Sequence, residues 1–474
     1  MPFVDVPSKD DFASIWYTTN SRNGNVGSFD ATKPTVVLLH PPTLESSWMR
    51  NMFEDDRLAS DFNLIAFDYR VSGKSRARPT GLHDGWVDAA DLAFAYHALH
   101  LPPAHILGVE STATNCALRL AILFPELCLS LTLCSVPPPT ELNTVQHGYD
   151  ESLQSWSYAE DLDSLEHAAM ESARRMVGPG DYDIDLLDDI ITYYVVKEPP
   201  CRRLRTVEIV NVLANRTPIK PADLARITQP VLIVQAENNP AFPLKYAQSL
   251  ASQLKNAKNG AVVFPIRSTH GSLCVLPSNA SLVNNVFVRF LARLPRAHSR
   301  LQPPQHPTDV RMKMALELLA TISGDASIAT RDPWSPLSFS CVTPEVKKHQ
   351  EEVLELYAKD LHKAFYPLGP DGRPLRKYSE KQNDHWFSGG KDGISYAESD
   401  LVTSQQQDET EAEEPEISNP RTPLSSSEPI SQEAAHEARL RRTTFNPNTV
   451  DKLVVKGSMS KVISSMPMHQ RLRL

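Results

Sequence analysis

One short run carries the groups best suited to chemistry. Ile106-Leu107-Gly108-Val109 is apolar and β-like, and Glu110-Ser111-Thr112-Ala113-Thr114 follows at once with a carboxyl and three hydroxyls. Small or apolar residues then recur at Ala113, Cys116, Ala117, Leu120, Ala121 and Phe124. That spacing is one buried helical face, and Phe124-Pro125-Glu126 ends it. A strand turning sharply into a helix pushes one side chain out at the sheet edge. The first amides of the helix then face any oxyanion formed there. A hydroxyl or carboxyl at the bend is therefore placed as a nucleophile. Counting back from Pro125 puts Ser111 at the bend, with Val109 and Ala113 at the flanking positions. Counting from Gly108 puts Glu110 there, with Thr112 at the second flanking position. The first register is preferred, although valine crowds a strained turn where small residues fit best. Ser111 as no more than a helix cap is the plain alternative, as is Glu110 as no more than a partner of the helix dipole.

The elements that must hold this run alternate between strand-like and helical up to about residue 295. Thr35–Leu39, Asn63–Asp68, Ile106–Val109, Leu129–Val136, Pro230–Gln235 and Gly260–Ile266 are short and rich in Val, Ile or Leu. Continuous apolar runs of this kind suit strands covered on both faces, as in a parallel sheet. Phe12–Thr18 reads as an added edge hairpin strand. The alternation argues for an α/β fold with helices on both faces of the sheet. Residues 141–227 interrupt the pattern with helical stretches at Tyr158–Arg175 and Ile184–Val195, and an insertion of that length needs its own structure. The expected organisation is therefore an N-terminal core part (1–140), a helical cap (141–227), a C-terminal core part (228–295), a partly helical extension (296–367) and a tail (368–474). Helices are expected at Val310–Ile322 and Pro344–Phe365. The tail is acidic around Asp408–Glu414 and basic from Arg439 onward, and it is too polar to offset its ordering entropy.

The 474 residues carry 48 Lys and Arg against 57 Asp and Glu, a net charge of −9. This balance disfavours a general nucleic-acid binder. Six cysteines without a CxxC pair exclude a disulfide scaffold and a zinc ribbon. His97, His100 and His105 match no standard ligand spacing, so no metal is expected. No glycine-rich phosphate loop occurs, and no cofactor is expected. No apolar run approaches a membrane span. The N-terminus reads MPFVDV, with neither a positive start nor an apolar stretch, so a cytoplasmic setting is expected. Leu472-Arg473-Leu474 is a weak match to a peroxisomal address.

Five segments in order resemble the α/β-hydrolase fold family over about 34–295. His40-Pro41-Pro42 follows the first buried strand, where the family carries its oxyanion loop. Asp68-Tyr69-Arg70-Val71-Ser72-Gly73-Lys74-Ser75 resembles the family's D-x-R-G-x-G-x-S turn. The bend before Pro125, the loop Gln235–Pro240 and Thr269-His270-Gly271 complete the set. The resemblance implies that His270 is the general base and that the acid lies near Asn239. An amide there cannot stabilise an imidazolium as a carboxylate does, so Glu141 and Glu237 stand as substitutes, with Glu141 favoured slightly. Pro41 and Pro42 lack N–H groups, which leaves Thr43 and Thr112 as oxyanion donors. The function implied is cleavage of an ester, thioester or amide of a small apolar substrate through Ser111 and His270. Two alternatives stay open. One is an impaired scaffold that binds a protein partner through its tail; the other is an epoxide- or halide-opening enzyme with Glu110 as nucleophile.

Overall fold

A computed structural model describes residues 2–6, 8, 11–178, 183–267, 271–301 and 303–380. Each apolar run expected as a strand is one. In chain order the strands are β1 (Phe3–Asp5), β2 (Ala13–Thr19), β3 (Thr35–Leu39), β4 (Asn63–Phe67), β5 (Arg76–Ala77), β6 (Ala104–Val109), β7 (Cys128–Cys134), β8 (Val231–Ala236) and β9 (Ala261–Ile266). They form one sheet in the order β1-β2-β4-β3-β6-β7-β8-β9, with β5 on β2. From β4 to β9 all pairs are parallel, and β2 joins β1, β4 and β5 antiparallel. β2 is thus internal, and β1 forms the outer edge expected of the Phe12–Thr18 segment. β6 lies between β3 and β7, and every one of its residues is buried. Its covering on both faces is the physical reason for the unbroken apolar run.

The connections are mostly helical. Two short helices, α1 (Arg50–Phe53) and α2 (Asp56–Ala59), follow β3, and α3 (Gly85–Leu99) and α4 (Glu110–Leu123) flank β6. α3 and α4 pack on each other. Ala113, Cys116, Ala117, Leu120 and Ala121 all lie in the main apolar core, as the spacing requires. The insertion contains α5 (Asn143–Ser157), α6 (Leu162–Val177), α7 (Ile184–Lys197), α8 (Arg203–Ala214) and α9 (Pro221–Leu224). The helix expected from Tyr158 starts at Leu162 instead. Asp161 accepts the Ser164 N–H in a capping box, and that box fixes the start. α10 (Leu244–Gln253) and α11 (Pro277–Leu291) complete the core.

Past residue 295 come α12 (Thr308–Ser323) and α13 (Pro344–Ala358). α13 stops short of the expected Phe365, because Lys359 is extended and Asp360 adopts φ 53°. Neither helix is an appendage. Met312, Ala315, Leu316 and Leu319 of α12 belong to the main core beside α4. α13 packs on α8, whose Arg203 donates from Nε to the Tyr357 carbonyl at 2.5 Å. No helix among the described residues is long and apolar enough to cross a membrane. The expected acidic and basic stretches of the tail lie outside the described residues.

Candidate active site

At the bend between β6 and α4 the left-handed backbone falls on one residue. Glu110 has φ 67°, a left-handed conformation that a side chain adopts only where its surroundings impose it. Gly108 explains the pitch of the turn. A Cβ there would lie 2.7 Å from the Ala113 carbonyl oxygen, so only glycine lets helix and strand approach this closely. The positive φ is thus at the third position of Gly108-Val109-Glu110-Ser111-Thr112. Ser111, the preferred candidate, does not have the strained backbone; it is the second residue of α4 and is buried. The count from Pro125 places the bend one residue further along than the positive φ does. Ser111 borders a cavity shared with Arg119, Asn211 and Gln350, and neither Glu110 nor Ser272 lines that cavity.

Glu110 is 6% exposed. Burial pushes its carboxyl up to about 7, against the opposing pull of a hydrogen bond from Ser272 and the charge of Arg175. The Ser272 hydroxyl donates to Oε1 at 2.9 Å. Ser272 is held in turn by the α6 end, its N–H reaching the Met176 carbonyl at 2.7 Å, and by Asn279, which donates to its carbonyl. Gly271 (φ 85°) presses on the same turn, since a Cβ there would lie 2.5 Å from the Met176 oxygen. Asn51 of α1 donates to the carbonyls of Cys274 and Val275, both at 2.9 Å. The segment after β9 is thus clamped between core and cap with one hydroxyl on Glu110. His270 lies just before this segment and outside the described residues. The role of Ser272 carried no motif that sequence reasoning recognised; its only signal was proximity to His270.

The cap contributes phenols. The Tyr194 hydroxyl lies 3.1 Å from Thr43 Oγ1. Burial raises its pKa to about 12, and the negative charge of Glu110 adds to this. Tyr149 is raised as well, by burial first and then by Glu141, with a further contribution from Glu110. Trp156 meets the Tyr194 ring edge-on at 5.1 Å. Thr43 has φ 64°, so the expected oxyanion loop does bend sharply there. Thr112 lies in the first turn of α4, half-buried.

The acid candidates are dispersed in role. Asn239 is buried, but its Oδ1 accepts the Ala241 N–H at 2.9 Å and so braces its own loop. Glu237 is exposed. Glu141 pairs with Arg216 at 3.2 Å. The Asp68 turn is structural: its carboxylate accepts N–H groups from Ser46 and Lys74, both at 2.7 Å, and a Cβ on Gly73 would strike it. Arg70 is fully buried between Asp91 (2.7 Å) and Asp11 (3.1 Å). His40 contacts Ser72 Oγ at 3.1 Å and the Pro41 oxygen at 2.7 Å, and burial lowers its pKa.

A mostly parallel sheet, a strained carboxyl at the strand-to-helix bend and a helical cap define the class. Residues 34–265 match the family described as alpha/beta hydrolase fold, and the fold of this part of the chain is the α/β-hydrolase fold. No curated protein matches the sequence. Among solved structures it is similar to a bromoperoxidase from Bacillus anthracis, at 16% identity and TM-score 0.48, covering 61% of this chain and 99% of that one. A thermophilic esterase from Thermogutta terrifontis matches at 15% identity and TM-score 0.47, covering 61% and 97%. An enol-lactonase from Burkholderia xenovorans LB400 matches at 17% identity and TM-score 0.46, covering 62% and 100%.

Proposed function

We propose that the protein is a hydrolase with Glu110 as its nucleophile, opening an epoxide or alkyl halide of a small apolar substrate. The observation that carries this reading is the positive φ of Glu110 at the β6–α4 bend. A carboxylate attacking an ester carbonyl would give an anhydride, a poor intermediate. Attack on a saturated electrophilic carbon gives a stable ester instead. One carboxylate oxygen forms the new C–O bond as the epoxide C–O bond or the carbon–halogen bond breaks. A halide leaves as such, whereas an opened epoxide takes a proton. The Tyr194 phenol, kept protonated by burial, suits that donation. Water then attacks the carbonyl carbon of the Glu110 ester, and the alcohol or diol departs. His270 would activate that water. It stands two residues before Ser272 in the sequence.

Ester cleavage through Ser111 finds less support, because its backbone lacks the strained bend. A scaffold without turnover is the second reading. It is favoured by Asn239, whose neutral amide is already engaged with Ala241 and offers no charge to an imidazolium. Rapid-quench intact mass after mixing with styrene oxide or 1-bromobutane tests the proposal. A covalent adduct that maps to Glu110 and vanishes in Glu110→Gln is expected. Fluorophosphonate labelling of Ser111 would support the serine reading instead, and the absence of any adduct or turnover would leave the scaffold.

A further inference from the structure

The antiparallel edge of the sheet leaves one face open beside the cap. Phe3 of β1 pairs with Trp16 of β2, and Arg76 of β5 pairs with Ser14. Residues 3, 14, 16 and 76 therefore share a face, while Val4, Ile15 and Tyr17 belong to the main core on the other side. Phe3 and Trp16 meet edge-on at 4.8 Å and make an apolar floor. The Lys74 ammonium lies 4.4 Å from the Trp16 ring centroid, and the Arg76 guanidinium lies 5.8 Å from that of Phe3. Lys197, Arg202 and Arg205, from the end of α7 to the start of α8, form the cap-side wall of an open groove of about 620 Å³. The walls are held in place. Arg205 donates to the Val71 and Gly73 carbonyls, the Lys74 N–H to Asp68 at 2.7 Å, and Arg202 Nη1 to the Lys197 carbonyl at 3.2 Å.

Every charged residue lining the groove is a cation, and no carboxylate among the described residues lines it. Three of these cations have partners behind the wall. Arg70 has Asp11 and Asp91, Lys197 has Glu45 at 3.3 Å, and Arg205 has Glu198 at 3.6 Å; all four carboxylates are buried. Glu198 also feels Arg202, though less than Arg205. Asp5 shares the face of Arg76, but its carboxylate accepts the Ser14 hydroxyl at 2.5 Å and does not line the groove. Lys74, Arg76 and Arg202 are exposed and form no ion pair among the described residues. A cleft lined by one sign of charge over a low-dielectric floor concentrates counter-ions. Water hydrates such cations but does not relieve their mutual repulsion; an anion does. Two of the three unpaired groups are guanidinium forks, which match phosphate oxygens in pairs. The volume falls within the range of about 300–1,000 Å³ usual for small-molecule sites.

We propose that this groove binds a small organic oligophosphate, its phosphates on Lys74, Arg76 and Arg202 and its organic part against Phe3 and Trp16. The inference stands apart from the catalytic reading, since it uses neither Glu110 nor Tyr194. Titration calorimetry of the full chain with ATP, tripolyphosphate and hexaglutamate at equal ionic strength tests it. Saturable one-to-one binding is expected for both phosphate compounds, tighter for ATP and weaker as sodium chloride is added. Lys74→Met combined with Arg202→Met weakens ATP binding at least about tenfold, in keeping with loss of charged hydrogen-bond donors. The melting temperature of that variant stays as in wild type, because both side chains are exposed. No saturable ATP binding below about 1 mM, or ATP binding unchanged in the double variant, would overturn the proposal. So would hexaglutamate binding as tightly as ATP, which would make the groove a docking site for an acidic chain.

Discussion

Glu110 combines a left-handed backbone with a buried carboxyl, and both are unfavourable in isolation. The folded carboxyl holds its proton up to about pH 7, whereas the free side chain releases it near 4.5. Between those values the folded state binds more protons than the unfolded one. Stability therefore falls as pH rises through that window and levels off above it. The ionised form costs about 3 kcal/mol at pH 8. Glu110→Gln keeps an acceptor for Ser272 and removes this cost. Urea unfolding should show the variant more stable than wild type by about that amount at pH 8, with little difference at pH 4.5. Turnover through the carboxylate should rise with pH through about 7 and be lost in the variant. At this scale the sequence was legible in type but not in register. A carboxyl and a hydroxyl adjoin at the bend, and composition cannot say which one it strains. The close approach of Gly108 to the Ala113 carbonyl decides that, and it exists only once strand and helix have packed.

At the scale of elements, two glycines set the angle of the site. Gly108→Ala brings a methyl against the α4 backbone. Gly271→Ala places one against the Met176 carbonyl at a positive φ. Each should destabilise by about 1–3 kcal/mol, and Gly271→Ala should also shift the apparent pKa of Glu110 by displacing Ser272; a pH–rate profile reads that shift. His83 ties the loop before α3 to the cap. It contacts Asp88 at 2.8 Å and Glu208 of α8 at 3.2 Å. Burial alone would lower its pKa, but the two carboxylates outweigh burial and raise it to about 10. The resulting stabilisation is fully present below the unfolded value near 6.5 and is lost as pH rises through about 10. His83→Gln leaves buried carboxylates facing an amide. It should cost about 3–5 kcal/mol in urea unfolding at neutral pH, in line with breaking a buried ion pair. The strands were legible because burial on both faces writes continuous apolar runs. The cap helix α8 was not, because its apolar residues form no single stripe in the sequence.

The whole molecule differs most from expectation after residue 295. An extension was expected beyond the core, yet α12 inserts Met312, Leu316 and Leu319 into the main core next to α4. The sequence shows a helix there; its partner surface is set by residues about 190 positions earlier, beyond the reach of local patterning. Met312→Ala should cost about 2–5 kcal/mol, as for other large core truncations, and a chain ended at Leu294 should fail to give a cooperative melt. The proposed chemistry turns on one bend, where β6 meets α4 and Glu110 has its positive φ. The most direct test is repeated turnover of styrene oxide in ¹⁸O-labelled water, followed by peptide mass spectrometry. Uptake of ¹⁸O into the Glu110 carboxyl is expected, because water would cleave the ester at its carbonyl carbon. Turnover with an unlabelled Glu110 would contradict it.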